Sequence, residues 1–167
     1  MRASEQGFLL FELLLVFCLA TIIACFVFGN MRFLNRGYAR AELQTLYQMC
    51  LYAQRRAISS GQECAIQIDV KKHRYACNGM ICMLSDGVQF NILPNVKGPP
   101  SSPQHHLTQM CTFKNNCITC SSDGIIDAGT IYITDFAKQN LYALTSGVAP
   151  YSYLRMYRYA GKWQRLE

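Results

Sequence analysis

Hydrophobic and polar positions divide the chain into three regimes. From Phe8 to Phe28 the residues are apolar on every side, broken by one charge, Glu12. Such a run at helical rise spans ~32 Å, enough for one pass through a bilayer. After Gly29-Asn30 the pattern becomes one-sided. Leu43, Leu46, Tyr47, Cys50, Ala53 and Ala57 recur at helical spacing, while Arg36, Arg40, Gln44, Gln48, Arg55 and Arg56 take mostly other faces. No proline occurs before Pro94, and Ser60-Gly61 supplies a stop. These signals predict one helix from about Phe8 to Ser59, with Gly29 and Gly37 as points where it can bend. Its first half suits lipid or neighbouring helices; its second half suits packing on a sheet.

Beyond Gly61 the period falls to two. Cys64, Ile66, Ile68 and Val70 alternate with Ala65, Gln67 and Asp69, as in a half-buried strand. Turn signals at Lys71–His73, Asn78-Gly79 and Ser85–Gly87 separate further short strands at Arg74–Cys77, Met80–Leu84 and Val88–Ile92. Residues 94–106 hold four of the five prolines and read as a surface loop. Cys111–Phe113 and Cys117–Cys120 flank Asn115-Asn116 as a hairpin would. Ser121–Gly124 is a turn, and Gly129–Thr134, Leu141–Thr145 and Leu154–Tyr159 complete seven or eight strands. The expected class is α+β, a long N-terminal helix, transmembrane and then amphipathic, packed on an antiparallel β-sheet domain. The expected divisions are a leader at 1–7, a membrane helix at 8–28, its amphipathic continuation at 29–60 and a globular sheet domain at 61–167.

Composition changes this picture little. The chain has 167 residues, and removing 1–28 leaves about 140, enough for one modest core. Net charge is +6 with only 16 % charged residues, which does not by itself mark a nucleic-acid protein. Arg32 and Arg36 follow the apolar run, and positive-inside bias alone would put them in the cytoplasm. Nine cysteines are present. Cys18 and Cys25 lie in the apolar run as small hydrophobes. The other seven include Cys50 and six that can form disulfides in an oxidising compartment: Cys64, Cys77, Cys82, Cys111, Cys117 and Cys120. Seven is odd, so one at least is free or bridges two chains.

Glu12 carries the sharpest signal. A carboxylate costs roughly 3 kcal/mol at mid-bilayer and less near a helix end, so it calls for a functional partner. A short polar leader ending in Gly7, then Phe8, then Glu12, then an unbroken apolar helix resembles the class III signal of type IV pilins and pseudopilins. The resemblance implies cleavage after Gly7 by a prepilin peptidase and an N-methylated mature terminus at Phe8. It implies that Glu12 pairs with the N-terminal amine of a neighbouring subunit during assembly. Further along, Ala53-Gln-Arg-Arg-Ala-Ile-Ser-Ser-Gly61 leading into Ile66-Gln-Ile-Asp69 is similar to the GspH/FimT-type minor pseudopilins. So is Ser121-Ser-Asp-Gly124 followed by Gly129-Thr-Ile-Tyr-Ile-Thr-Asp135. The Pro94–Cys120 stretch departs from that pattern. The implied protein is a single-pass subunit of the bacterial inner membrane with its C-terminal domain in the periplasm or on the filament. Its implied partners are other pilins, the peptidase, the assembly platform and the bilayer, in a type II secretion pseudopilus, a type IV pilus or a competence system taking up DNA. Two other anchors compete. Ile22-Ile-Ala-Cys25 resembles a lipobox, which would lipidate Cys25 on a periplasmic binding module, and an uncleaved span would leave Met1 in place.

No catalytic constellation stands out, and no cofactor is called for. Cys117-x2-Cys120 has zinc-knuckle spacing, but no second pair accompanies it, and His73, His105 and His106 do not supply one. Serines 59, 60, 121 and 122 lack a matching His/Asp pattern, and no phosphate-loop glycine motif occurs. Tyr151, Tyr153, Tyr157, Tyr159 and Trp163 interleave with Arg155, Arg158, Lys162 and Arg165. That alternation fits a strand with core aromatics and exposed cations better than a single-stranded nucleic-acid platform.

Overall fold

The computed structural model describes residues 3–99, 103–149 and 151–166, with side chains described there except at 3–10, 28–36, 148, 149 and 151. Residues 100–102 of the Pro-rich loop therefore lie outside the described residues. Helix α1 runs Ala3–Ser60. It begins before the expected start near Phe8, because Ser4-Glu5-Gln6 contains no breaker and an acid in the first turn favours a helix N-terminus. It stops where Gly61 takes a left-handed φ of 64°, which costs glycine nothing. The chain divides into two compact units, Met1–Leu34 and Asn35–Glu167.

In the second unit, α1 presents Ala39, Leu43, Leu46, Cys50, Ala53 and Ala57, all fully buried. Their alternating steps of four and three residues make one seam along the helix. Tyr47, expected on this face, is only half-buried at its margin, while Arg40, Gln44, Gln48, Arg55 and Arg56 are exposed. Two polar contacts pin α1 to the loops beyond the seam. The Glu42 carboxylate accepts hydrogen bonds from the Ser85 amide (3.1 Å) and hydroxyl, and Gln54 Nε2 donates to the Gly124 carbonyl at 2.6 Å.

Among the described residues nine strands follow: β1 Cys64–Asp69, β2 Arg74–Cys77, β3 Met80–Met83, β4 Val88–Phe90, β5 Cys117–Cys120, β6 Gly129–Asp135, β7 Leu141–Ala149, β8 Tyr151–Tyr159 and β9 Trp163–Leu166. They form two antiparallel sheets rather than one. The first has the order β3-β2-β1-β5 and the second β4-β6-β7-β8-β9. The alternation of β1 is as its sequence predicts, with Cys64, Ile66 and Ile68 inward. Two expectations are corrected. Cys111–Phe113 and Cys117–Cys120 are not the two arms of a hairpin. Cys111 bridges to Ile131 of β6, whereas β5 pairs with β1, so a 3-10 turn at Lys114–Asn116 carries the chain between sheets. The strand expected at Met80–Leu84 is present as β3, at the edge of its sheet, with Met80, Ile81 and Met83 exposed. The last strand is not the one before Gly161. The chain reverses there and β9 pairs back on β8, from Tyr159↔Trp163 to Met156↔Leu166.

One hydrophobic core lies among α1 and the inner faces of both sheets. A second cluster covers the other face of the five-stranded sheet, where Val96, Tyr132, Leu141, Ala143 and Tyr157 pack with Ile92, Leu93, Leu107, Tyr159 and Trp163. Trp163 Nε1 donates to the Lys97 carbonyl at 2.8 Å, tying β9 to the Pro-rich loop. Covered on both faces, Thr130–Asp135 of β6 is buried throughout. Gly129 at its start has a packing reason, since a Cβ there would stand 2.5 Å from the Phe113 ring.

Asp135 at the end of β6 closes the β6–β7 turn. Its buried carboxylate accepts from the Gln139 amide (2.8 Å), the Asn140 amide (3.0 Å) and Asn140 Nδ2 (2.9 Å). Asp135→Ala strands these donors and is expected to cost roughly 2–3 kcal/mol, with Asp135→Asn costing less. Urea midpoints of the three proteins test this; equal midpoints would show the turn holds without the carboxylate.

Candidate assembly helix

The first unit shows what the apolar run does with its side chains. Successive residues on a helix step round the axis by about 100°. Leu13, Leu14, Leu15, Val16 and Phe17 therefore point in all directions, and all are exposed. Exposure continues through Leu19, Ile22 and Ile23 to Val27 and reaches 65 % at Phe11 and 70 % at Phe26. A helix apolar all round is stable in water only if something apolar surrounds it. The hydroxyl of Thr21, the polar exception, bonds back to the Cys18 carbonyl at 2.8 Å, which hides its donor within the helix.

Glu12 is the single charged residue between Phe11 and Val27, and it is exposed on α1. The ion pair found among the described residues is Arg74–Asp69, so no described cation neutralises Glu12. Gly7 and Phe8 lie on the helical backbone of α1, and their side chains fall outside the described residues. Among the described residues no helix is long and apolar enough to cross a membrane. Positions 8–10 and 28 of the run lie beyond the described side chains, so the span expected at 8–28 remains an inference from sequence.

In the second unit the cysteines are distributed unevenly. Cys50 of α1, Cys64 of β1, Cys77 of β2 and Cys120 of β5 are all buried in the core between helix and sheet. Burial raises the thiol pKa first, and neighbouring sulfurs add to it, taking Cys77 to about 11 and Cys120 to about 12; Cys50 is shifted upward as well. Cys82 and Cys117 are half-buried, and Cys111 is buried away from this group near β6. All nine cysteines are thiols. The structure thus brings Cys64, Cys77 and Cys120 together, adds Cys50, which sequence reasoning had not included, and leaves Cys82, Cys111 and Cys117 apart. Among the described residues no group of three or more His, Cys, Asp or Glu side chains is placed to hold a metal ion. His73 instead accepts a hydrogen bond from the Phe90 amide at its Nδ1, 3.3 Å away.

The interleaved aromatics and cations of the C-terminal segment separate by role. Tyr157, Tyr159 and Trp163 belong to the outer core cluster, with Tyr159 and Trp163 edge-on at 5.3 Å. Arg155 lies over the Tyr153 ring at 4.2 Å. Arg155 and Arg165 line a cleft of about 570 Å³ between α1 and β8–β9, together with Gln44, Tyr47 and Gln48. These groups offer hydrogen-bond donors and positive charge rather than a nucleophile with its base.

No family model and no curated protein sequence matches the chain. Solved structures do. A structure of the minor pseudopilin EpsH from the type 2 secretion system of Vibrio cholerae is 21 % identical, with a TM-score of 0.50, covering 71 % of this chain and 95 % of that one. A second EpsH structure is 17 % identical with a TM-score of 0.47, covering 71 % and 93 %. With its N-terminal helix packed on antiparallel sheets, the chain has a minor-pseudopilin-like fold.

Proposed function

We propose that the chain is a minor pseudopilin or minor pilin, a structural subunit rather than an enzyme. A prepilin peptidase cuts after Gly7, Phe8 becomes the methylated terminus, and residues 8–28 hold the subunit in the inner membrane. Residues 61–167 then form a domain outside the cytoplasm. The assembly platform draws the subunit into a filament, where the apolar helix bundles with those of other pilins and Glu12 pairs with a neighbour's terminal amine. The observation that carries this reading is the helix of 11–27, apolar and exposed in every direction, with one exposed acid near its start. Lipid and neighbouring helices cover such a surface at different stages, and a cation on the next subunit offsets the cost of burying the acid. The pseudopilin-like fold of the rest of the chain supports the same reading.

Intact mass and N-terminal sequencing of the protein taken from its native membrane test the proposal. The expected mature terminus is Phe8. A terminus at a lipidated Cys25, or at Met1, would replace the filament subunit with an anchored binding module.

A further inference from the structure

Within the buried thiols, one pair is in contact. Cys64 Sγ and Cys77 Sγ are 3.8 Å apart, and both residues are nearly inaccessible, at 4 % and 1 % exposure. They sit diagonally across the β1–β2 pair. Cys77 faces Ile66, and Cys64 lies two residues before Ile66 on the same inward face. The hairpin turn Asn78-Gly79 ends β2 immediately after Cys77, with φ of 49° and 81°. From that turn Asn78 Nδ2 donates to both sulfurs, at 3.3 Å to Cys64 and 3.6 Å to Cys77. One amide thus holds two thiols side by side. Cys64 also faces Cys120 across β1–β5, but its sulfur contact is with Cys77.

The geometry points to Cys64 and Cys77 as a dithiol that closes to a disulfide, linking β1 to β2 beneath α1. Bonding requires the sulfurs to approach by about 1.8 Å, and because the two residues are diagonal neighbours the hairpin backbone must shift along with the side chains. The co-reactant is another disulfide, of a small thiol or of a thiol oxidase. Access comes through the β2–β3 hairpin. Its turn is exposed, and its outer strand β3 carries the exposed Met80, Ile81 and Met83 at the sheet edge, so it opens at lower cost than the rest of the core. In the open hairpin the Cys77 thiolate attacks the co-reactant disulfide and releases one thiol. When the hairpin closes, the Cys64 thiolate attacks Cys77 Sγ and displaces the second thiol. Two protein thiols are oxidised by two electrons, one disulfide is reduced to two thiols, and the two protons leave on those thiols. The pairing depends on local geometry alone; its use in the cell rests on the compartment proposed above.

The test uses the full chain in detergent, reduced and then exposed to glutathione disulfide, alkylated and mapped by mass spectrometry. A dominant Cys64–Cys77 linked peptide is expected, still formed in Cys120→Ala and absent in Cys77→Ser. Closing this short loop should raise Tm by roughly 10 °C over the reduced protein, a difference that Cys77→Ser abolishes. Free Cys64 and Cys77 after oxidation, or a dominant Cys64–Cys120 link, overturns the assignment. The same mapping on protein taken directly from cells reports the compartment separately, so a wrong compartment and a wrong pairing give different results.

Discussion

Leu46→Ala is expected to destabilise the unit formed by residues 35–167 by about 3 kcal/mol. Leu46 is fully buried at the middle of the α1 seam, with Leu43 and Cys50 to either side. Removing its isobutyl group loses the transfer energy of the missing carbons and leaves a cavity. Relaxation cannot easily fill that space, because the core side chains it would draw on project from strands held in register by cross-strand pairing. For a unit of this size the change corresponds to a fall in Tm on the order of 10 °C. Arg55→Ala, at an exposed position on the same helix, should alter stability by less than about 0.5 kcal/mol. Thermal and urea unfolding compare the two. A loss below about 1 kcal/mol for Leu46→Ala would mean that the helix does not depend on this seam.

The second large effect concerns assembly. Glu12→Ala should leave processing and membrane insertion intact, and even ease insertion, since it removes a charge from an apolar helix. Incorporation into the filament should nevertheless fall at least about tenfold. A charge-assisted hydrogen bond contributes roughly 1.5–3 kcal/mol, and each 1.4 kcal/mol is a factor of ten. Replacing Gly7 separates the steps: it should block cleavage, so that the precursor accumulates with an N-terminus that cannot serve as the partner amine. Quantitative blots of membrane and filament fractions distinguish the three proteins. Normal incorporation of Glu12→Ala would refute the pairing even if the terminus at Phe8 is correct.

Some of the architecture could be read residue by residue. The seam of α1 was legible because 3.6-residue spacing is a local property; five of its six expected members are buried, and Tyr47 lies at the edge where packing thins. The buried face of β1 was equally plain, since period two assigns alternate side chains to opposite faces. The polar pins Glu42 and Gln54 gave no local signal, because their partners lie at Ser85 and Gly124. Strand β9 was missed because Gly161 reads as an end, and only the room beside β8 turns the last residues into a strand.

The helix, the reversal of period at Gly61 and the lone acid in an apolar run follow from local order along the chain, because backbone periodicity and the cost of an unpaired charge need no distant partner to be felt. Which sheet each strand joins, how Cys111 and Cys117 part company across one short turn, and which two of nine sulfurs touch were decided by tertiary structure alone. Those outcomes turn on strand pairing between residues far apart in sequence, and no short window of residues contains that information.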